Sequence, residues 1–395
     1  MSAELQSMLK KNGLDPLKVA LSSVSELYSM SDETLLEFKT GLIRDAFHLH
    51  YANNAFFRSA CDSKGITPES IEAPEDLIKI PLIPIELFKA NDSHKLLSVS
   101  LRDIELEMRS TGTSGIPSVS RRCSDTVDNA VMGIYAMYRE FLEISKGAGL
   151  YLCPSTEEIP EMGMIKALNM LAGLLDTHRF MVRQESFKPE DALAQLNDWN
   201  HKFSRHIIGP PFLINRFISY LKATNTRLKL DKSSYVITLG GWKRFSGQML
   251  SRAEFNQECM EYLGVEESQI RDIYALVESN VVAIDDEHGV KHVSPFIHFS
   301  VRDPKQLDRE VAPGEIGQLA ILDPLARSTP GFMLTEDLVR LLPEPSRSGR
   351  SGQRMQYVMR LPESKEFGCC AVNLDKRLDD LEAAPAAADN CPIVA

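Results

Sequence analysis

Residues 150–260 alternate short apolar runs with helical periodicity, and this alternation constrains the fold more than any other feature. The segments 149–153, 206–208 and 235–239 are short and apolar enough to be buried strands. Between them, 165–175, 192–203 and 212–221 space their apolar residues as helices do. Each strand has one face to bury on each side, and an intervening helix covers one of them. The pattern therefore predicts an α/β fold with helix-flanked, mostly parallel sheets.

The flanking regions differ in character. Residues 1–95 read as a helical region, with Leu35, Phe38, Leu42, Ile43 and Phe47 close to helical spacing. It closes on Ile80-Pro81-Leu82-Ile83-Pro84-Ile85, read as extended because each proline disfavours helix at the residue before it. Residues 96–345 are read as the core. A helix after the small-residue run Ser110 to Ser118 is predicted, with Val127, Val131, Ile134, Tyr138 and Phe141 on one face and Asp125 near its start. From 270 to 345 the chain is strand-rich, with turn signals at Glu287-His288-Gly289 and Ala312-Pro313-Gly314. A short C-terminal region, 346–381, begins with a Gly/Ser/Arg loop, and the Ala/Pro tail 382–395 is expected to be disordered.

Composition excludes some functions. The 395 residues carry a net charge of −11, which opposes a nucleic-acid partner, since phosphate contacts need clustered Lys and Arg. No run approaches the roughly 20 apolar residues of a membrane span. The start has no apolar signal-peptide core, so the cytoplasm is the expected address. Seven cysteines show no metal-ligand spacing. His48-x-His50, His201, His206, His292 and His298 are read as structural or surface residues.

The sharpest chemical feature is Arg109-Ser110-Thr111-Gly112-Thr113-Ser114-Gly115-Ile116-Pro117. Gly112 and Gly115 let the backbone curl so that several N–H groups converge. The hydroxyls of Ser110, Thr111, Thr113 and Ser114 add donors around the same point, which is the chemistry of a phosphate cradle. The Gly-Lys-Ser/Thr ending of a Walker A loop is missing.

That loop resembles the phosphate loop of the adenylate-forming superfamily: acyl-CoA synthetases, peptide-synthetase adenylation domains and luciferases. Other segments follow in the family's order. Leu239-Gly240-Gly241-Trp242 is similar to the backbone that lines the adenine. Asp272-Ile273-Tyr274-Ala275-Leu276-Val277-Glu278 resembles the segment whose aromatic residue stacks on adenine and whose carboxylate holds Mg²⁺. Thr335-Glu336-Asp337-Leu338 resembles the segment whose Asp binds the ribose. Arg360 matches the Arg near the interdomain hinge. The resemblance implies an adenylate-forming N-terminal-domain fold, with ATP and Mg²⁺ as cofactors and Glu278 as catalytic metal ligand. It also implies a substrate pocket along Gly209, Pro210 and Trp242.

A narrower resemblance, to the LuxE-type acyl-protein synthetases, covers nearly the whole length. It rests on His50-Tyr51…Asn54, on residues 80–89 and on Ile207-Ile208-Gly209-Pro210-Pro211-Phe212. It implies an acyl-AMP passed to the enzyme's own Cys and on to an acyl reductase partner. Cys369 and Cys370 stand where that catalytic thiol is expected. About 35 residues follow Arg360, against roughly a hundred for a lid domain, so a truncated lid is expected.

The sequence departs from the superfamily at Ser118, where Lys is common, at Val277 for Thr and at Glu336 for Gly. Arg121 and Arg122 are candidates to replace the missing cation. Two other readings stay open: a ligase whose acceptor is CoA or a carrier-protein thiol, and a non-catalytic nucleotide- or partner-binding homologue.

Overall fold

The computed structural model describes residues 8, 9, 11–110, 117–183, 186–241 and 250–361. The tail 382–395 and residues 362–381 of the short region before it lie outside the described residues.

The predicted strand–helix alternation is present. Strands β1 (Ile83–Pro84), β2 (Ile104–Arg109) and β3 (Val119–Cys123) come first. They are followed by β4 (Ala148–Tyr151), β5 (Thr177–Phe180), the two-residue pair β6 (Val182–Arg183) and β7 (Ser186–Phe187), β8 (Arg205–Gly209) and β9 (Val236–Leu239). Then come β10 (Ile270–Ala275), β11 (Val282–Asp285), β12 (Lys291–Val293), β13 (His298–Asp303) and β14 (Gln306–Glu310). The last are β15 (Ile316–Leu322), β16 (Phe332–Leu341) and β17 (Arg354–Arg360).

Among the described residues one mixed 13-stranded sheet runs β14-β13-β15-β16-β17-β12-β11-β10-β9-β8-β4-β5, with β1 parallel to β16. The strands from β5 to β10 in that order are parallel. From β11 to β14 the pairing turns antiparallel. The mostly parallel part and the strand-rich C-terminal part read from the sequence are thus two halves of one sheet. β14 is exposed along its length and carries Asp308, Arg309 and Glu310, charges that blunt an open edge.

Alternating residues of the parallel strands feed two cores. Tyr151, Ile208 and Ile237 enter one, beneath the helices Asp32–Asn53, Ser124–Leu142 and Gly163–Ala172. Leu150, Leu152, Ile207 and Val236 enter the other, beneath Pro189–Asp198, Pro211–Ala223 and Arg252–Leu263. Burial on both faces explains why these strands read as continuous apolar runs. Local chemistry ends the helices as expected. Ser251 and Glu254 cap Arg252–Leu263 reciprocally, and Gly264 leaves it with φ +68°.

One face differs from the expectation. In Ser124–Leu142 the predicted Tyr138 and Phe141 are buried, but they are joined by Thr126, Asn129, Ala130, Gly133, Met137 and Leu142, while Val127, Val131 and Ile134 are only half-buried. Hydrogen bonds turn the helix this way. Thr126 Oγ1 accepts from the amides of Arg327 and Ser328, both at 2.9 Å, and Asn129 Nδ2 donates to Leu325 O at 3.0 Å. A hydropathy pattern cannot register polar residues that serve as buried ties. Thr126→Val keeps the shape and leaves two amides unpaired. It is expected to lower stability by about 2–4 kcal/mol, read from urea unfolding.

Candidate active site

The carboxyl ends of β8, β9 and β10 lie side by side, because Gly209 pairs with Thr238 and Leu239 with Ile273. In parallel sheets this edge is where connecting loops collect ligands. Gly209 ends β8 because the neighbouring strand comes too close for a side chain. A Cβ there meets Leu152 O at 2.9 Å and Leu152 Cβ at 3.0 Å. Pro210 and Pro211 then start the next helix. Gly240 takes φ +79° at the end of β9, and Gly240 and Gly241 are both exposed. Trp242 lies outside the described residues.

The stem of the glycine loop reaches the same edge. The Ser110 amide donates to Ser118 O at 3.0 Å, and the Ser118 amide donates to Ser110 Oγ at 2.9 Å, closing the loop at its base. Thr111, Gly112, Thr113, Ser114 and Gly115 lie outside the described residues. The Arg109 amide donates to Glu161 O at 2.9 Å, which sets the stem against the start of Gly163–Ala172. A Cβ on Gly163 meets Val277 Cγ2 at 3.2 Å and Met108 Sδ at 3.4 Å. That glycine lets the loop stem and the turn bearing Glu278 meet.

Three residues read separately from the sequence form one cluster. The Tyr274 hydroxyl donates to Asp337 Oδ2 at 2.7 Å, and Arg360 Nε lies 3.5 Å from Asp337 Oδ1. Register explains it, because Asp337 and Arg360 are direct partners across β16 and β17. Burial raises the Asp337 carboxyl above its ordinary range, opposed by Arg360 and by the Tyr274 hydroxyl. Burial, and then Asp337, push the Tyr274 phenol well above 10. Burial works against the Arg360 charge, but Asp337, Glu336, Tyr357 and Glu278 outweigh it and hold the guanidinium protonated. Glu336 points away from Asp337, as alternate strand residues do. Burial raises its carboxyl, and it faces Glu86 and Lys89.

Glu278 is half-buried and accepts no hydrogen bond from another described residue. Arg122, 8% exposed, braces its turn: Nη2 donates to the carbonyls on either side, Val277 O and Ser279 O, both at 3.0 Å. Burial lowers the Arg122 guanidinium to about 10, with Asp323 and Glu278 acting in the other direction. Arg122 is therefore engaged in the turn. Arg121 holds Glu107 at 3.1 Å and Ser93 at 3.0 Å. Both guanidinium groups are thus bonded within the fold.

A second brace lies behind β9 and β10. Lys291 Nζ bonds Asp272 Oδ2 at 2.9 Å and Asp285 Oδ1 at 2.8 Å, and Arg252 joins Asp285 at 2.6 Å. It ties β10, β11 and β12 to one another and to the start of the helix Arg252–Leu263.

Residues 18–379 match the family described as acyl-protein synthetase, LuxE. The chain belongs to the LuxE acyl-protein synthetase family. It is 30% identical over 369 residues to a long-chain-fatty-acid–luciferin-component ligase of Aliivibrio fischeri, covering 89% of this chain and 93% of that one. It is 28% identical over 337 residues to the ligase of the same name from Vibrio harveyi, covering 83% and 85%. Among solved structures, 2-hydroxyisobutyryl-CoA ligase in an open conformation superposes with a TM-score of 0.63. That match has 14% identity and covers 87% of this chain and 79% of that chain. The fold is accordingly that of an adenylate-forming ligase.

The remaining candidates in this LuxE member sort by their partners. His50 is buried between Ser98 Oγ at 2.8 Å and Ala326 O at 3.1 Å, and burial lowers it to about 3. His206 and His292 bond Lys146 O and Asp286 in the same structural manner. Among the described residues no group of three His, Cys, Asp or Glu could hold a metal by itself. No described helix is long and apolar enough to cross a membrane. The described thiols Cys61, Cys123, Cys153 and Cys259 are buried; burial raises Cys61 to about 12 and raises Cys153 and Cys259 as well. Cys61, Cys153 and Cys259 therefore carry little thiolate and are poor nucleophiles. Cys369 and Cys370 fall within the family match but outside the described residues.

Proposed function

We propose that this chain uses ATP to activate a long-chain fatty acid as its acyl-adenylate, takes the acyl group onto Cys369 or Cys370, and passes it to an acyl reductase. The observation that carries the reading is the convergence of Tyr274, Asp337 and Arg360 beside Glu278, at the strand edge where the glycine-loop stem also arrives. Membership of a family of acyl-protein synthetases supplies the reaction class.

The residues fit a magnesium-bound nucleotide. Glu278 offers a hard oxygen ligand free of described hydrogen bonds, and Mg²⁺ is held by one or two carboxylates plus phosphate oxygens. The metal, when bound, supplies charge neutralisation at the phosphates. Exposed Gly240 and Gly241 leave room for a flat base against the backbone. Arg360 keeps Asp337 oriented toward the ribose hydroxyls, and Tyr274 fixes the other carboxylate oxygen. Ser110 and Thr111 to Gly115 are assigned to the phosphates. The fatty carboxylate, already ionised near neutral pH, attacks the α-phosphorus and pyrophosphate leaves, so no general base is required. Catalysis is then alignment and charge stabilisation. Gly209, Pro210 and Trp242 are assigned to the acyl side of the site. A thiolate at Cys369 or Cys370 displaces AMP and forms a thioester.

The test is incubation with ATP, Mg²⁺ and labelled fatty or aromatic acids, following pyrophosphate release and label on the denatured protein. Label that hydroxylamine removes, and that Cys369→Ala or Cys370→Ala abolishes while pyrophosphate release persists, is the expected result. Release without retained label moves the acceptor to CoA or a carrier thiol. Neither signal with any acid overturns the enzymatic reading.

A further inference from the structure

Glu278 sits on an exposed-edge turn after β10, where a loop carboxylate would ordinarily sample many positions. Here the turn is gripped from two sides. Arg122, on β3 immediately beyond the glycine loop, donates through one nitrogen to both carbonyls that bracket Glu278. Asp323 takes the other side: Oδ2 accepts from Ser279 Oγ at 3.1 Å, from the Asn280 amide at 2.8 Å and from Asn280 Nδ2 at 3.1 Å. Its Oδ1 accepts from the Leu325 amide at 2.9 Å. Both grips are buried, Arg122 at 8% exposed and Asp323 at 0%. Glu278 alone is left half-open with its oxygens uncommitted to described donors.

We infer that Arg122 is a positioning residue of the adenylation step: it holds the Glu278 turn against the stem of the glycine loop, so that the carboxylate keeps a fixed place for the metal–nucleotide complex. β3 carries both functions. Ser118, the residue just before it, closes the glycine loop, and four positions later Arg122 on the strand grips the turn. Any displacement of the loop stem is thereby transmitted to the carboxylate. Arginine suits this position because a buried guanidinium reaches two carbonyls from one planar nitrogen while staying charged, and a lysine ammonium on a flexible stem does not reproduce that geometry. The inference rests on the reading of Glu278 as the metal carboxylate.

The test separates the two. In the full-length wild-type protein, Mn²⁺ binding in the presence of ATP is followed by electron paramagnetic resonance, and Mg²⁺ dependence by pyrophosphate release. Arg122→Lys is expected to raise the metal concentration for half-saturation about tenfold in both assays, the range found for residues that orient a ligand. The KM for the fatty acid should stay within about twofold. In a Glu278→Gln background Arg122→Lys should add less than about twofold, because the two act through one carboxylate.

Unchanged metal half-saturation, or additive effects in the double variant, overturns the role and leaves Arg122 as packing only. No metal-dependent ATP binding in the wild-type protein overturns the site reading instead. If Arg122→Lys fails to fold, Ser279→Ala removes a single hydroxyl from the Asp323 grip and keeps every charge. It should raise the metal requirement about twofold, and no rise overturns the inference.

Discussion

Glu278→Gln should cut the pyrophosphate-releasing rate by a hundred- to a thousandfold, the scale seen when one preorganised electrostatic contact to a transition state is lost. The substitution keeps size and shape and removes one negative charge. Glu278 makes no hydrogen bond or ion pair to another described residue, so the fold loses little. Stability in urea should stay within about 0.5 kcal/mol of the parent, as for surface positions away from a network. Arg122 and Arg360 each lose a neighbouring negative charge, a smaller effect because both retain other partners. The decisive comparison is rate against stability. A large rate loss with unchanged unfolding supports a ligand role, and parallel losses in both would make Glu278 a structural residue.

The second large effect is on stability and its pH dependence. Lys39 is 2% exposed, and among the described residues its amine donates to Ile297 O at 3.2 Å and Gln353 Oε1 at 3.3 Å. Burial lowers it to about 7, with Asp32 pulling the other way; His298 is the other titratable group it faces. In the unfolded chain the amine keeps its proton up to about 10.4. Between pH 7 and that value the unfolded state binds more protons than the folded state, so stability rises with pH across this window. Below pH 7 both states are protonated and the burial penalty is complete. Lys39→Met removes the penalty and should stabilise the protein by roughly 3–5 kcal/mol at pH 6. The advantage should shrink by more than half at pH 9. Urea midpoints of both proteins at the two pH values test it, and a difference that ignores pH refutes it.

The parallel half of the sheet could be read from the sequence because its strands are buried on both faces and its helices are amphipathic. The segments 206–208 and 235–239 fall on β8 and β9, and 212–221 falls inside Pro211–Ala223. The antiparallel half announced only its turns, at Gly289 and Gly314, both at positive φ. The chain order cannot reveal that β17 inserts between β12 and β16, since that pairing is set by long-range packing. At the site, Tyr274, Asp337 and Arg360 were each visible as a motif fragment, but their mutual contact was not. The bonds of Arg122 to the turn were not legible, because a buried guanidinium bonded to backbone carbonyls leaves no motif. Thr126 was missed for the same reason.

The pairing of Arg360 with Asp337 also fixes the point from which the rest of the chain leaves. Cys369 follows nine residues later (369 minus 360). Nine residues at full extension reach no more than about 32 Å. On the proposed reading, that short leash confines the thiol to a small volume around the place where the acyl-adenylate forms. The effective thiol concentration is then of order millimolar, however dilute the protein. Loading of the thioester should therefore be first order, with a rate constant unchanged on hundredfold dilution, whereas hand-over to a separate protein slows in proportion to that protein's concentration.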